Sequence, residues 1–502
     1  MTNANLYALF QSRFPSNPNA PALAVPGGET ITYGGLDMLS ARYAGTLKSL
    51  GVTKGDRVAV QVDKSPQAVA LYLACLRIGA IYLPLNTAYT PAEVAYFIGD
   101  AEPALLVCRP QSEPSLLEVV DEGNALHVRT LDGHGDGTLN AEIAEPIPDI
   151  AHVSGEDLAA ILYTSGTTGR SKGAMLSHAN LASNALALHE MWGWRDGDVL
   201  IHALPIFHVH GLFVAIHCAL LNGSKMWFLP KFDADQVIEL LPRSTVLMGV
   251  PTFYTRLVDH PGLNREAAAN MRLFISGSAP LLAETFGAFE DKTGHRILER
   301  YGMTETGMIT SNPLDGERLP ATVGHALPGV EVRIADDDGK VLGAEEIGVL
   351  AVRGPNVFTG YWRMAEKTAA EFRADGWFIT GDVAKMSEDG RVSIVGRAKD
   401  MIISGGYNVY PKEIETVIDE LDGVKESAVI GAPHPDFGEA VIAVIVTDGA
   451  KLNEADVQAS IKNDLARFKH PKRVFVVDEL PRNTMGKVQK NVLRDTYANT
   501  FS

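Results

Sequence analysis

Tyr163-Thr164-Ser165-Gly166-Thr167-Thr168-Gly169-Arg170-Ser171-Lys172-Gly173 is the stretch on which the reading of this chain turns. Five of the eleven residues are Ser or Thr, three are Gly, and a single Lys stands near the end. Phosphate oxygens accept from hydroxyls and bare backbone N–H groups, and glycine lets the main chain come close enough to supply them. The Walker pattern ends Gly-Lys-Ser/Thr, whereas Lys172 follows Ser171 and precedes Gly173, so this is a different phosphate loop. An apolar run at 158–163 leads in, a shorter one at 174–176 leads out, and Ser177 reads as the N-cap of a helix ending near Met191. The loop is therefore expected to join two strands, where a Walker loop leads from strand into helix. Ser/Thr/Gly clusters are more often solvated linkers. A lone cation and apolar runs tight on both sides argue against that.

Outward from the loop, the chain alternates strand and helix. Gly55-Asp56 precedes a strand at 57–62, Ser65-Pro66 opens an apolar helix that stops at Gly79, and 80–85 reads as the next strand. Thr90-Pro91-Ala92-Glu93 has capping-box spacing, and 104–108 reads as a third strand. Such alternation implies a parallel sheet with covering helices. The grammar recurs: Gly197-Asp198, a strand at 199–204, an apolar stretch at 211–221 closed by Gly223, and a strand at 225–229. Two related α/β layers are expected. From Gly348 the strands shorten, at 348–353, 376–381 and 391–395, which suggests a small β-rich subdomain. The charged segment 396–400 reads as a linker, and 401–502 as an α+β domain with helices at 412–421 and 454–466 and strands at 427–431 and 440–447.

At 502 residues the chain is long enough for two to four domains at roughly 100–200 residues each. Apolar residues at 46% and charged ones at 21% are ordinary for a globular protein. The net charge of −17 argues against nucleic acid or membrane surfaces as partners, so an anionic ligand must meet local cations. Cys75, Cys108 and Cys218 are far apart within apolar runs and show neither metal nor disulfide spacing. With no signal-like run at the N-terminus, the expected location is the cytoplasm.

Five further stretches carry chemistry: Pro205-Ile206-Phe207-His208-Val209-His210-Gly211, Tyr301-Gly302-Met303-Thr304-Glu305-Thr306, Thr380-Gly381-Asp382, Gly396-Arg397-Ala398-Lys399-Asp400 and Pro481-Arg482-Asn483-Thr484-Met485-Gly486-Lys487. Each alone reads more readily as a turn or a solvated surface. Together with the loop, in this order and spacing, they resemble the adenylate-forming acyl-CoA synthetases, the superfamily of luciferases and peptide-synthetase adenylation domains. The resemblance implies a mixed α/β fold: an N-terminal ATP- and acyl-binding domain over 1–395, a hinge at 396–400 and a small mobile C-terminal domain over 401–502.

It also implies a chemistry in which a carboxylate attacks the α-phosphorus of ATP and the thiol of coenzyme A then displaces AMP. Lys487 is expected to contact the carboxylate and the α-phosphate, and Thr304 to help fix that phosphate. Glu305 is expected to hold Mg²⁺. Thr164, Ser165, Gly166, Thr167, Thr168, Gly169 and Lys172 are expected to hold the β- and γ-phosphates. Asp382 would accept from both ribose hydroxyls and Arg397 would donate to the ribose. Ser278, Ala279 and Pro280 with Tyr301, Gly302 and Met303 would flank the adenine. Lys399 is the expected hinge, and Ser404, Gly405 and Gly406 would border the coenzyme A channel. Lysines at the position of Lys487 in relatives are acetylated, which makes an acetyltransferase and deacetylase expected partners.

For the acid, His208, His210 and Ser278 mark the acyl pocket, and Pro251-Thr252-Phe253-Tyr254-Thr255-Arg256-Leu257 carries an arginine where relatives for fatty or aromatic acids are mainly apolar. A buried Arg256 would need an anion, and a second carboxylate on the substrate is the natural one. This segment with Phe-His-Val-His-Gly resembles the malonyl-CoA and methylmalonyl-CoA synthetases. Arg256 could instead pair with Asp259 on a helix flank. Oxalate, succinate or a short monoacid are the near alternatives. A peptide-synthetase unit is disfavoured because 15 residues follow Lys487, and a non-catalytic adenylate binder because Lys487 and Glu305 are both present.

Overall fold

The computed structural model describes residues 3–118, 127–164, 171–404, 407–435, 437–449, 452–461, 465, 467–483 and 486–501. Of the phosphate loop, 165–170 lie outside the described residues, as do Gly405 and Gly406.

Local signals form the elements they predict. Ser65 accepts from the Ala68 N–H at 3.1 Å, Pro66 occupies the first turn of Pro66–Ile78, and Gly79 closes that helix at φ 73°. Thr90 and Glu93 form a reciprocal capping box on Pro91–Ala101. Ser177 caps His178–Met191 with Asn180 as its counterpart. Each cap satisfies N–H groups that the helix leaves orphaned.

The two expected layers are two open sheets with the same connectivity. In a seven-stranded sheet, Arg57–Gln61 lies between Ile81–Pro84 and Leu105–Cys108, all parallel. In a nine-stranded sheet, Val199–His202 lies between Lys225–Phe228 and Val246–Gly249, again parallel. The first strand of each copy is thus the central one, flanked by the second and the third. Between the sheets runs Pro66–Ile78, in which no residue from Ala68 to Ile78 is more than 4% exposed. A helix that is apolar all round is stable only when covered all round.

The hairpin Leu158–Thr164 and Lys172–Ser177 lengthens the first sheet, and Gly360–Tyr361 pairs with its outer strand. The second sheet extends through Leu273–Ser276 to Leu298–Met303, the strand that ends in Tyr301-Gly302-Met303. The β-rich subdomain is an antiparallel sheet of Glu331–Ala335, Gly348–Arg353, Phe378–Met386 and Val392–Arg397. The expected linker is shorter than its sequence suggests. Gly396 and Arg397 belong to the last of these strands, because Arg397 pairs across to Asp382, and only Ala398–Asp400 forms a separate 3₁₀ turn.

Residues beyond this turn build a separate five-stranded sheet with two cores of its own. Its strand Gly438–Thr447 sends Val441, Ala443 and Ile445 to one core and Ile442, Val444 and Val446 to the other. Two-residue alternation with apolar side chains on both faces is the mark of a strand covered on both sides. Its helices include Pro411–Asp419, Glu454–Ser460 and Lys490–Tyr497; the helix read over 454–466 ends at Ser460, and 462–464 and 466 lie outside the described residues. No helix among the described residues is long and apolar enough to cross a membrane, and the three cysteines are buried and unbridged.

The apolar stretch 211–221 departs from the first copy, where the corresponding helix is regular. It starts as a π-helix, His210–Ile216, and continues as the α-helix His217–Asn222. A Cβ at Gly211 would lie 2.0 Å from the Pro205 carbonyl oxygen, so only glycine fits this wide turn. Gly211→Ala is expected to destabilise by about 1–3 kcal/mol, an overpacking cost, readable as a lower urea midpoint.

Candidate active site

Strand register assembles the first part of the site. Asp382 and Arg397 face each other on adjacent antiparallel strands, with Arg397 Nε 2.7 Å from Asp382 Oδ1. Tyr301, arriving from the other sheet, donates its hydroxyl to Asp382 Oδ2. Asp382 is only 3% exposed, and burial pushes its carboxyl above the ordinary value against the opposing pull of Arg397. Burial works against the charge of Arg397 too, but Asp382 and Tyr301 outweigh it and hold the guanidinium above its ordinary value.

Lys487 reaches this group from the far end of the chain. Its loop is tied by the Asn483 N–H to the Lys487 carbonyl at 2.9 Å and by the Lys487 N–H to Asn483 Oδ1 at 3.0 Å. Gly486, at φ 74°, turns the tip against Thr252 at the start of the helix Pro251–Asp259. Lys487 is exposed to the open cleft, yet the protein around its ammonium, and then Arg397, hold its pKa below the ordinary value, with Asp382 and Glu305 opposing.

Glu305 is 5% exposed, and burial raises its carboxyl. Its Oε1 lies 3.0 Å from the Tyr361 hydroxyl oxygen, whose proton is donated to Glu371 Oε2 at 2.6 Å. No group of three metal-binding side chains exists among the described residues. A single buried carboxylate is nevertheless what Mg²⁺ uses when substrate phosphates and water complete its shell, so Glu305 fits that ion. Thr304, half-buried, borders a small internal cavity with Val209, Phe213 and Gly307. Thr164 ends one strand of the hairpin and Lys172 begins the other, Lys172 lying 3.0 Å from Glu371 and 4.1 Å from the centre of the Tyr361 ring.

The residues expected on the acyl side lie near this group, with Lys487 acting on His208. His210, 1% exposed, has its Nδ1 3.3 Å from Ser278 Oγ, and its own N–H points to His208 Nδ1 at 3.5 Å. Burial, with Lys487 and Arg300 adding to it, pulls His208 down to about 3, and burial also depresses His210, so both rings are neutral at pH 7. Ser278 adopts φ 74°, a strained conformation for a residue with a side chain. Ala279 and Pro280 follow it at the surface of the cleft.

The arginines differ from expectation. Arg256 is exposed, because Phe253, Tyr254 and Leu257 form the buried stripe of its helix. The buried setting expected from sequence is therefore absent, and the alternative pairing with Asp259 is not among the ion pairs of the described residues. Arg256 does share a helix face with Thr252, one turn earlier, which meets the Lys487 loop. The buried guanidinium is instead Arg300, missed in the sequence reading. It is 3% exposed, and its Nε and Nη2 have no partner among the described residues. Burial pushes it down to about 9, with Tyr254 and Glu299 opposing. A Cβ at Gly277 would lie 2.4 Å from its Cζ, so the small residues Ser276-Gly277-Ser278 were the available signal.

Of the remaining expected residues, Lys399 is exposed on the turn Ala398–Asp400 and Ser404 is buried at the end of Ile402–Ser404. Gly302 and Met303 are half-buried beside Tyr301.

The wall carrying Ser278 depends on Glu299, whose Oε1 accepts from the Leu281 N–H at 3.1 Å. Burial pushes the Glu299 carboxyl up to about 7 from 4.5. Its contribution to stability is therefore complete below the lower value and is lost as pH rises through the upper one, an effect of at most about 3 kcal/mol. Thermal melts of Glu299→Gln are expected to be flatter between pH 5 and 7.5 and to exceed the unmodified protein at pH 8.

The AMP-binding enzyme family model matches residues 10–362, and the model for the AMP-binding enzyme C-terminal domain matches 413–487. A malonate–CoA ligase of Arabidopsis thaliana is 34% identical over 94% of this chain and 82% of its own length. A feruloyl-CoA synthase of a Streptomyces species is 34% identical over 98% and 99%. The crystal structure of ATP-bound MatB from Rhodopseudomonas palustris is 55% identical over all of both chains, with a TM-score of 0.97. The apo form of the same protein gives 0.86.

Proposed function

Because the chain belongs to the AMP-binding enzyme family, we propose that it joins a small dicarboxylic acid, malonate or methylmalonate, to coenzyme A with ATP. One carboxylate oxygen attacks the α-phosphorus and pyrophosphate leaves. The thiolate sulfur then attacks the acyl carbon and AMP leaves with the electron pair of the broken bond. No protein nucleophile is needed, so the residues act by neutralising charge and by positioning.

In this reading Lys487 bridges the carboxylate and the α-phosphate, Thr304 donates to that phosphate, and Lys172 with 164–169 holds the outer phosphates. Mg²⁺, held by Glu305, would neutralise phosphate charge. Asp382 accepts from the ribose hydroxyls while Arg397 keeps it ionised, and Ser278–Pro280 with Tyr301–Met303 flank the base. We place the hinge at Lys399, between units 1–395 and 401–502, with Ser404 to Gly406 bordering the coenzyme A channel in the second step. The closer likeness to the ATP-bound neighbour than to its apo form supports such a movement. The unbridged cysteines suit a reducing cytoplasm.

The observation that carries the diacid is Arg300. A buried guanidinium with unpartnered donors beside His208, His210 and Ser278 calls for an anion. We assign Arg300 to the inner part of the acyl site and Arg256, on the helix face toward the Lys487 loop, to its mouth. The test is ATP–pyrophosphate exchange with acetate, oxalate, malonate, methylmalonate, succinate and octanoate. Malonate or methylmalonate should exceed the monoacids; preference for acetate or octanoate would end the diacid reading.

Arg300→Ala is expected to lose on the order of 30- to several-thousand-fold in kcat/KM for malonate, since it breaks a buried charge pair. Arg256, being exposed, should lose less on replacement by Ala, roughly 5- to 30-fold. Acetate turnover should hold or rise in both variants. Malonate and acetate falling together would make these arginines structural.

Lys487→Ala should lower adenylate formation by about 10²–10³-fold and leave thioester formation from supplied acyl-adenylate nearly intact. Acetylation of this exposed lysine, which removes its charge, should act in the same way. Peptide mass spectrometry after incubation with an acetyltransferase and acetyl-CoA checks it; modification confined to other lysines would remove that regulatory partner.

A further inference from the structure

Glu371, outside every motif that marks the site, holds the phosphate-loop lysine. Lys172 is anchored at its backbone end by the strand Lys172–Ser177. Its ammonium lies 3.0 Å from Glu371 Oε1 and 4.1 Å from the centre of the Tyr361 ring, with the side chain only 12% exposed. Glu371 is the last residue of the helix Ala365–Glu371 and is itself held on every side. Lys367, one turn earlier, meets the same Oε1 at 2.9 Å, and Tyr361 donates to Oε2 at 2.6 Å. Tyr361 is fixed in turn by pairing of Gly360–Tyr361 with the strand that Lys172 begins. The helix that carries the anchor follows Gly360–Tyr361, which pairs with the strand of the lysine, so the two are held together although they are far apart in sequence.

We propose that Glu371 is a positioning residue for the nucleotide: it holds Lys172 extended so that the ammonium meets the outer phosphates of ATP without a search among rotamers. An ammonium has three donors and Glu371 engages one, which leaves two for phosphate oxygens. A lysine free in solvent would lose most of its side-chain freedom on binding; one already held has lost it on folding. Lys367 has a separate task. It shares the Glu371 carboxylate, so that carboxylate is divided between two cations and does not fully neutralise Lys172. Competition is the opposite possibility, with Glu371 occupying Lys172 until phosphate displaces it. The geometry favours positioning, because the carboxylate is fixed by Tyr361 and Lys367 and need not let go.

This rests on the nucleotide half of the proposed function and not on the acid, so the readout is binding of a non-hydrolysable ATP analogue with Mg²⁺ by calorimetry, without acid or coenzyme A. Failure of the unmodified protein to bind would sink the nucleotide reading itself. Given binding, the variants test Glu371. Glu371→Ala should weaken binding on the order of tenfold and raise KM for ATP alike, with KM for the acid unchanged. Glu371→Gln keeps an acceptor at the same reach and should recover most of the loss. Glu371→Asp keeps the charge but falls a methylene short, and should resemble Ala. In a Lys172→Ala background, replacing Glu371 should add nothing. Tighter binding in the Ala or Gln variant would establish competition and overturn the proposal. So would unchanged binding, rescue by Asp but not Gln, or an undiminished loss in the Lys172→Ala background. Circular dichroism of each variant identifies any that fails to fold, and Glu371→Gln, nearly isosteric, carries the test in that case.

Discussion

A chain with a net charge of −17 must receive a nucleotide carrying several negative charges and an acid carrying one or two more. Coulomb repulsion from the surface as a whole opposes this, and only local cations reverse it. The cleft therefore collects Lys172, Arg300, Arg397 and Lys487 from four separate parts of the sequence. Each is stabilised differently: Lys172 by Glu371, Arg397 by Asp382, and Lys487 by residence on an exposed loop. Arg300 is the buried one whose Nε and Nη2 have no hydrogen-bond partner among the described residues. Lys172 and Arg300 stand on the two large sheets, Arg397 on the antiparallel sheet and Lys487 on a loop of the C-terminal unit.

That arrangement explains why the histidines beside these cations are neutral. His208 and His210 are packed close to Arg300, with Lys487 bearing on His208, and burial already disfavours their charged forms. Neutral rings add hydrogen-bonding capacity near the acid without adding more positive charge to an interior that must stay folded before substrate arrives. A cationic pair there would cost stability in the free protein.

The local grammar was legible in the sequence. Ser65, Thr90 and Ser177 cap helices as their neighbours predict, because a cap is a transaction among residues three apart. The repeated strand–helix order became repeated topology, with the first strand central in each copy. What was not legible was burial of charge. Whether Arg256 or Arg300 faces the interior depends on what lies opposite, and for Arg300 that is Gly277, in a different strand connection. Glu371 was invisible for the same reason, since its partner Lys172 is 199 residues away. Likewise the apolar pattern of 211–221 showed an element but not its hydrogen-bond ring size.

The π-turn His210–Ile216 has a consequence for how the acyl pocket could change. Relative to an α-helix it accommodates one additional residue, and one residue corresponds to about 100° of helical rotation. Removing a single position would restore a regular helix at the loss of one side chain and swing the histidines out of register with Ser278. The chemistry of this wall is therefore encoded in residue count as much as in residue identity.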